Sequence, residues 1–276
     1  MRWLTSRPVL VGIDGAITDT WAVKAAALEA AAGKSRLVLV SVADRSGMAY
    51  CLRQAHRIVA ATAPGVSVDE VEDHAAARTL VKLSTEAAAV VVGRPDHLGM
   101  EGLVAASIAH QVATYAECPV LVVPDPVEPV EARRPGQVRT SGLGVVLGVD
   151  VGESAEAAIG YAFDQSARRS LPLTAVRAWT PIAEAHARGI FPDQFHDAED
   201  RFLSEALAGW CEKYPDVTVS RQNHGWHAAR ILVEASRTAD LVVVGARGAG
   251  GFEGLRLGSV SDAVMRHASC TVAIVR

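Results

Sequence analysis

The chain has 276 residues, a net charge of −4, nine histidines and four cysteines. That length suits two domains of ordinary size, each able to bury its own core. The mild acidity, with no lysine or arginine block, argues against a nucleic-acid footprint, and no apolar run approaches the ~20 residues of a membrane span.

The first residues, MRWLTSRPVLVGID, hold an apolar stretch too short for a secretory signal and run straight into a strand ending at Asp14. The expected location is the cytoplasm. Alanine-rich helical stretches such as WAVKAAALEAAAG then alternate with apolar strand runs such as LVLVSVAD (37–44). Such alternation implies right-handed βαβ units and a parallel sheet. Residues 124–142, PDPVEPVEARRPGQVRTSG, are dense in proline and charge and read as a linker. Beyond it the alternation restarts, with VVLGVD ending at Asp150, the helical AEAAIGYAFDQSARR, and a strand run LTAVRAWT (173–180).

The second half repeats the first. At an offset of 152, residues 76–123 lie over 228–275 without a gap, and 21 of 48 positions are identical. They include Gly93/Gly245, Gly102/Gly254, Ser107/Ser259 and Cys118/Cys270. Near each repeat's start the offset is 136, so that Gly12-Ile13-Asp14 matches Gly148-Val149-Asp150. The second repeat therefore carries 16 extra residues between its second and third strands, expected as a loop leading into a longer helix. Cys118 and Cys270 precede buried strands and read as small core residues, not as a disulfide. The boundaries are 1–124 for the first domain, 125–142 for the linker and 143–276 for the second domain.

Residues 242–259, VVVGARGAGGFEGLRLGS, hold the densest chemistry. A valine run suited to a buried parallel strand leads into the pattern G-x2-G-x9-G-S, and SVSDAVMRHA then has helical composition. A strand, a glycine-rich loop and a helix start together form a place to hold an anion, through close backbone N–H groups and the helix dipole. The pattern differs from the lysine-bearing phosphate loop and from the dinucleotide G-x-G-x-x-G spacing. Opposite Gly248 the first domain has Asp96, opposite Gly258 it has Ala106, and opposite Arg247 it has Pro95. A carboxylate repels polyphosphate, proline lacks an N–H, and a methyl at 106 is expected to crowd a loop needing close approach or positive φ. The first site keeps Asp14, Gly93 and Ser107 but loses the parts that would touch phosphate.

This pattern resembles the ATP-binding signature of the universal stress protein family, in a tandem two-domain form. Asp150 after the first strand, and Cys270 before a last valine/isoleucine run, agree with it. The resemblance implies two repeated α/β domains, each a five-stranded parallel sandwich of Rossmann-like, adenine-nucleotide α-hydrolase-like type. It implies ATP, with Mg2+, at the carboxyl ends of the second domain's strands. Asp150 would then accept from the ribose hydroxyls, and Ala178 would align with the adenine contact. Gly245, Gly248, Gly258 and Ser259 would surround the phosphates, with Arg247, Ala249, Val260 and Ser261 as further candidates. A plainer reading stays open for two of these: Asp150 as a cap for the following helix, and Arg247 as a solvated surface residue. By the same resemblance the two repeats pair through their last strands, 120–123 and 272–275, as an intrachain pseudo-dimer or in a homodimer.

No catalytic residue or metal site is assigned. His224 and His227 (HGWH) read as loop surface, Trp226 as packing or an exposed edge, and His186 and His196 have no partner in view. Three functions compete. The first is a nucleotide-dependent regulator without dedicated catalysis. The second is a slow ATP hydrolase or nucleotidyl- or phosphoryl-transfer enzyme, for which no paired carboxylates, phosphate lysine or placed base is found. The third is a nucleotide-free scaffold. Related α/β groups, the electron-transfer flavoprotein and synthetase domains, share the phosphate-site logic but not the tandem small-domain layout.

Overall fold

Valine- and leucine-rich runs become strands buried on both faces, and alanine-rich stretches become the helices that cover them. The computed structural model describes residues 7–15, 19–42, 47–95, 100–125, 144–151, 154–178, 192–225, 227–248 and 256–276. The chain divides into two compact units, Met1–Ala132 and Arg133–Arg276.

The first unit runs β1 (Val9–Ile13), α1 (Asp19–Ala32), β2 (Leu37–Val42), α2 (Met48–Thr62), β3 (Val68–Asp73), α3 (Ala76–Leu83), β4 (Ala89–Arg94), α4 (Met100–Tyr115) and β5 (Val120–Pro124). Its strands pair in parallel in the order β3-β2-β1-β4-β5. The second unit runs β6 (Gly144–Val149), α5 (Ala155–Arg169), β7 (Leu173–Ala178), α6 (Pro192–Lys213), β8 (Val219–His224), α7 (Ala228–Ala235), β9 (Ala239–Gly245), α8 (Ser259–His267) and β10 (Thr271–Val275). Its order is β8-β7-β6-β9-β10, again parallel. In both units the chain reverses direction across the sheet beside the first strand. That is the switch point at which open α/β sheets hold ligands, outside the strand carboxyl ends. The α/β class and five-stranded parallel repeats are those expected from the sequence.

Shared contacts show why the repeats fold alike. A leucine of α3, Leu80, lies against Gly12 of β1, and Leu232 of α7 lies against Gly148 of β6; a Cβ at either glycine would come within 3.0 Å or less of the leucine. Ser84 and Ser236 are equivalent and buried. Each hydroxyl donates back to a helix carbonyl, Val81 at 2.6 Å or Val233 at 2.5 Å, and accepts a backbone N–H from the turn before the last strand, Glu117 at 2.8 Å or Ser269 at 2.9 Å. None of the four cysteines, all among the described residues, forms a disulfide; Cys118 is buried and Cys270 half-buried.

The units differ in their second helix, 15 residues in α2 and 22 in α6. Residues 179–191 of the insertion, the Trp226 position, 126–142 of the linker and residue 143 lie outside the described residues. Helix α6 is held to α5 by an aromatic cluster, with the Phe163 ring centroid 6.2 Å from that of Trp210 and 5.8 Å from that of Tyr214. In the first unit, α3 is instead anchored by Asp73, which accepts the Ala75 N–H at 2.9 Å and the Thr79 hydroxyl at 2.7 Å. These two bonds, the backbone one foremost, hold the Asp73 carboxyl below its ordinary range.

Removing either buried serine hydroxyl strands a turn N–H without its acceptor. Ser84→Ala and Ser236→Ala are each expected to cost about 1–2 kcal/mol. Because the sites lie in separate units, their effects on urea unfolding should add.

Candidate functional site

Strand register brings the expected ligand residues of the second unit to one edge. Val149 pairs with Arg177 and Gly148 with Val244, so Asp150, Ala178 and Gly245 all stand at the strand carboxyl ends around the switch point. Gly245 leaves room for the first turn of α5, since a Cβ there would sit 3.0 Å from the Ser154 Cβ. Its close approach is to protein.

The glycine-rich loop is closed at its base by three backbone-directed bonds. The Ala246 N–H donates to the Val275 carbonyl at 2.6 Å, and the Ala246 carbonyl accepts the Gly258 N–H at 2.7 Å. The buried Ser261 hydroxyl donates to the Gly245 carbonyl at 2.6 Å, so its proton is committed to the scaffold. Residues 249–255, with the candidate Ala249, lie outside the described residues.

Gly248 and Gly258 differ in what they demand. A Cβ on Gly248 would overlap the Asp150 carboxylate, which reaches across the loop to it. The same carboxylate accepts the Val151 N–H at 2.8 Å and lies 3.2 Å from the Arg177 Nη1. Gly258, by contrast, has φ −77°, and a Cβ there would make only ordinary contact, 3.4 Å from the Ala246 carbonyl oxygen and 3.7 Å from the Gly248 nitrogen. The expectation of a positive φ or a crowded backbone at Gly258 is corrected. As a residue without helix propensity in the N-cap position, it marks where α8 begins.

That beginning creates the electrostatics. The N–H groups of Ser259, Val260 and Ser261 occupy the first turn of α8, where a helix has donors without intrahelical acceptors and its positive end. Ser259 is exposed and Val260 half-buried. Asp262, in the same turn, would repel an anion, but Arg266 binds both its oxygens, at 3.0 and 2.9 Å. Arg247 is exposed beside Gly248.

The first unit lacks this arrangement for a visible reason. Its α4 ends at Tyr115, opposite His267 of α8, but starts at Met100, so Ala106 and Ser107 lie inside the helix. Within a helix the Ser107 N–H is committed to the carbonyl four residues back, and the positive end lies about 10 Å further along the axis. Asp96 lies outside the described residues; Pro95 follows β4 directly.

Arg177 was not singled out from the sequence, and its signal is an arginine within the apolar LTAVRA strand. His224 is half-buried with Nε2 3.4 Å from the Gln222 Oε1, and His227 is exposed ahead of α7. Among the described residues no group of three or more His, Cys, Asp or Glu side chains is placed to hold a metal ion. No helix among them is long and apolar enough to cross a membrane.

The sequence profile of the universal stress protein family matches residues 48–124 and 144–276. The chain belongs to the universal stress protein family. A universal stress protein of Mycolicibacterium smegmatis is 31% identical over 295 residues, covering 99% of this chain and 98% of that protein. One from Mycobacterium tuberculosis is 34% identical over 209 residues, 75% of this chain and 67% of the relative. The crystal structure of a universal stress protein from Archaeoglobus fulgidus superposes with a TM-score of 0.68 at 14% identity, covering 99% of this chain and 97% of that one. The tandem universal stress protein fold thus spans both units.

The two glycines should separate under substitution. Gly248→Ala displaces the Asp150 carboxylate and is expected to cost about 1 kcal/mol or more in urea unfolding. Gly258→Ala should stay within about 0.5 kcal/mol of the parent.

Proposed function

We propose that the second unit binds one adenine nucleotide, ATP with Mg2+, and that this universal stress protein acts as a nucleotide-dependent regulator without dedicated catalysis. The observation that carries this reading is the start of α8 at Gly258, beside Gly248 and Asp150. A turn of backbone donors, a carboxylate and a glycine whose Cβ position the carboxylate occupies converge on one strand-end edge.

The fit to a nucleotide follows from the chemistry of these groups. The Ser259–Ser261 N–H groups and the Ser259 hydroxyl suit phosphate oxygens, with Arg247 adding charge from the loop. Asp150 is an acceptor suited to ribose hydroxyls, and the end of β7 at Ala178 offers backbone to an adenine edge. Gly245 and Ser261 contribute by holding the loop base. Among the described residues no carboxylate cluster supports a resident metal, so Mg2+ would arrive with the phosphates. In the first unit, α4 buries the equivalent donors inside the helix, which supports one nucleotide per chain and a first domain, 1–124, that holds none.

Catalysis of phosphoryl transfer needs a metal, charge neutralisation and a positioned nucleophile acting together. Around Ser259 the described residues supply donors but no base aimed at a water. The output is then a ligand-dependent shape or contact, made in the cytoplasm by the single chain or a homodimer.

The test is to denature purified protein, chromatograph what it releases, and titrate the stripped protein with Mg-ATP. One adenine nucleotide per chain is expected, with Gly248→Asp abolishing retention while circular dichroism stays that of the parent. Turnover should fall far below the ~1–100 s⁻¹ of dedicated kinases. Two equivalent sites would overturn the asymmetry, fast hydrolysis lost in Gly248→Asp would favour an enzyme, and no binding would favour a scaffold.

A further inference from the structure

The Asp150 carboxylate is tied to α6 through a single guanidinium. Arg177, on β7, places Nη1 3.2 Å from the Asp150 Oδ1 and 3.3 Å from the Val149 carbonyl oxygen, while its Nε donates to the Glu199 Oε2 at 2.7 Å. The guanidinium carbon lies 4.8 Å from the centroid of the Phe202 ring, also on α6. Glu199 and Phe202 lie about one helical turn apart, so α6 grips both the edge and the face of the group.

Burial makes this contact more than a surface ion pair. The Arg177 side chain is 13% exposed and Glu199 19%, whereas Asp150, at the mouth of the site, is 51% exposed. A planar, always-charged fork can hold two partners at fixed angles, which an ammonium on a flexible stem does not. Helix α6 in turn is fastened to the sheet further along, by Arg221 Nη1 to the Ser204 hydroxyl at 3.0 Å and by Asn223 to Asp200. The mouth of the site and the long helix are therefore joined by the continuous Asp150–Arg177–Glu199 contacts.

At the equivalent position the first unit has no arginine. In the register of its sheet, Ile13 pairs with Ser41 as Val149 pairs with Arg177, and Ser41 is a buried side chain too short to reach a helix. The unit whose last helix starts at the strand ends has arginine at this register position, and the other has serine.

We infer that Arg177 is the positioning residue of the Asp150 site and relays occupancy of that site to helix α6. This rests on the proposed nucleotide reading and adds the route by which a ligand is felt. A ligand hydroxyl bonding to Asp150 changes the share of that carboxylate left for Arg177, and so changes the Arg177–Glu199 contact. By linkage, whatever α6 binds or contacts alters ligand affinity to the same extent.

The experiment measures Mg-ATP affinity and amide hydrogen exchange across residues 198–213 in the full-length parent, Arg177→Met and Glu199→Gln. In the parent, Mg-ATP should change exchange along α6. Arg177→Met should weaken Mg-ATP binding by about tenfold, and both variants should lose the exchange response in α6 at saturating Mg-ATP. Binding with no α6 response in the parent, or a full response in either variant, overturns the relay. If the parent binds no Mg-ATP, the nucleotide reading fails, and ligand-free protein decides the relay separately. Asp150→Asn should then alter α6 exchange in the parent background and leave it unchanged in the Arg177→Met background. Equal change in both backgrounds, or none in either, overturns it.

Discussion

A parallel sheet sends the carboxyl ends of all its strands to one edge, and every helix that follows a strand begins there. In the second unit this geometry brings together residues far apart in sequence, Asp150 after β6, Ala178 at the end of β7 and Gly245 at the end of β9. It also directs the positive end of the last helix at the same place, provided that helix begins at the edge. The site depends on that proviso. Gly258 meets it by stopping backbone regularity just ahead of Ser259, and the bond from its N–H to Ala246 locks the helix start to the strand end.

The same sheet, built from a sequence with 21 of 48 positions shared, loses the feature when the helix start moves. In the first unit α4 takes in Ala106 and Ser107, so an identical serine has a different electrostatic position. Asp262 illustrates the complementary point. Its charge is tolerable near the mouth of the second site because Arg266 offsets it. What separates the units is where donors and charges stand, more than which residues are present.

Much of this was legible in the chain. Alternating runs and the two offsets foretell two repeated parallel α/β units, because buried parallel strands and their covering helices impose their periods on composition; the strand count comes from the family resemblance. The glycine spacing points to the strand-end edge beside β6 and β9. Less legible was what each glycine is for. Gly245 accommodates Ser154, Gly248 accommodates the Asp150 carboxylate, and Gly258 starts a helix without needing unusual backbone angles. Three positions in one motif thus answer to three different neighbours, and those neighbours are fixed only by folding. Arg177 escaped notice because its partners, Asp150 and Glu199, are 27 and 22 residues away and meet it only through sheet register and the lie of α6. Ser261 reads as a phosphate candidate; the fold commits its hydroxyl proton to the Gly245 carbonyl and leaves its backbone N–H in the first turn of α8.

The length of α4 bears on how such a duplicated protein can change over time. A helix interior is cooperative, each turn held by those on either side, whereas restoring glycine at position 106 removes only about 1 kcal/mol of local preference. That is too little to unwind the seven residues from Met100 to Ala106 and bare the Ser107 N–H again. A helix start at Ser107 would need several changes together. The extended helix therefore holds the first half in its present form against any single substitution at position 106.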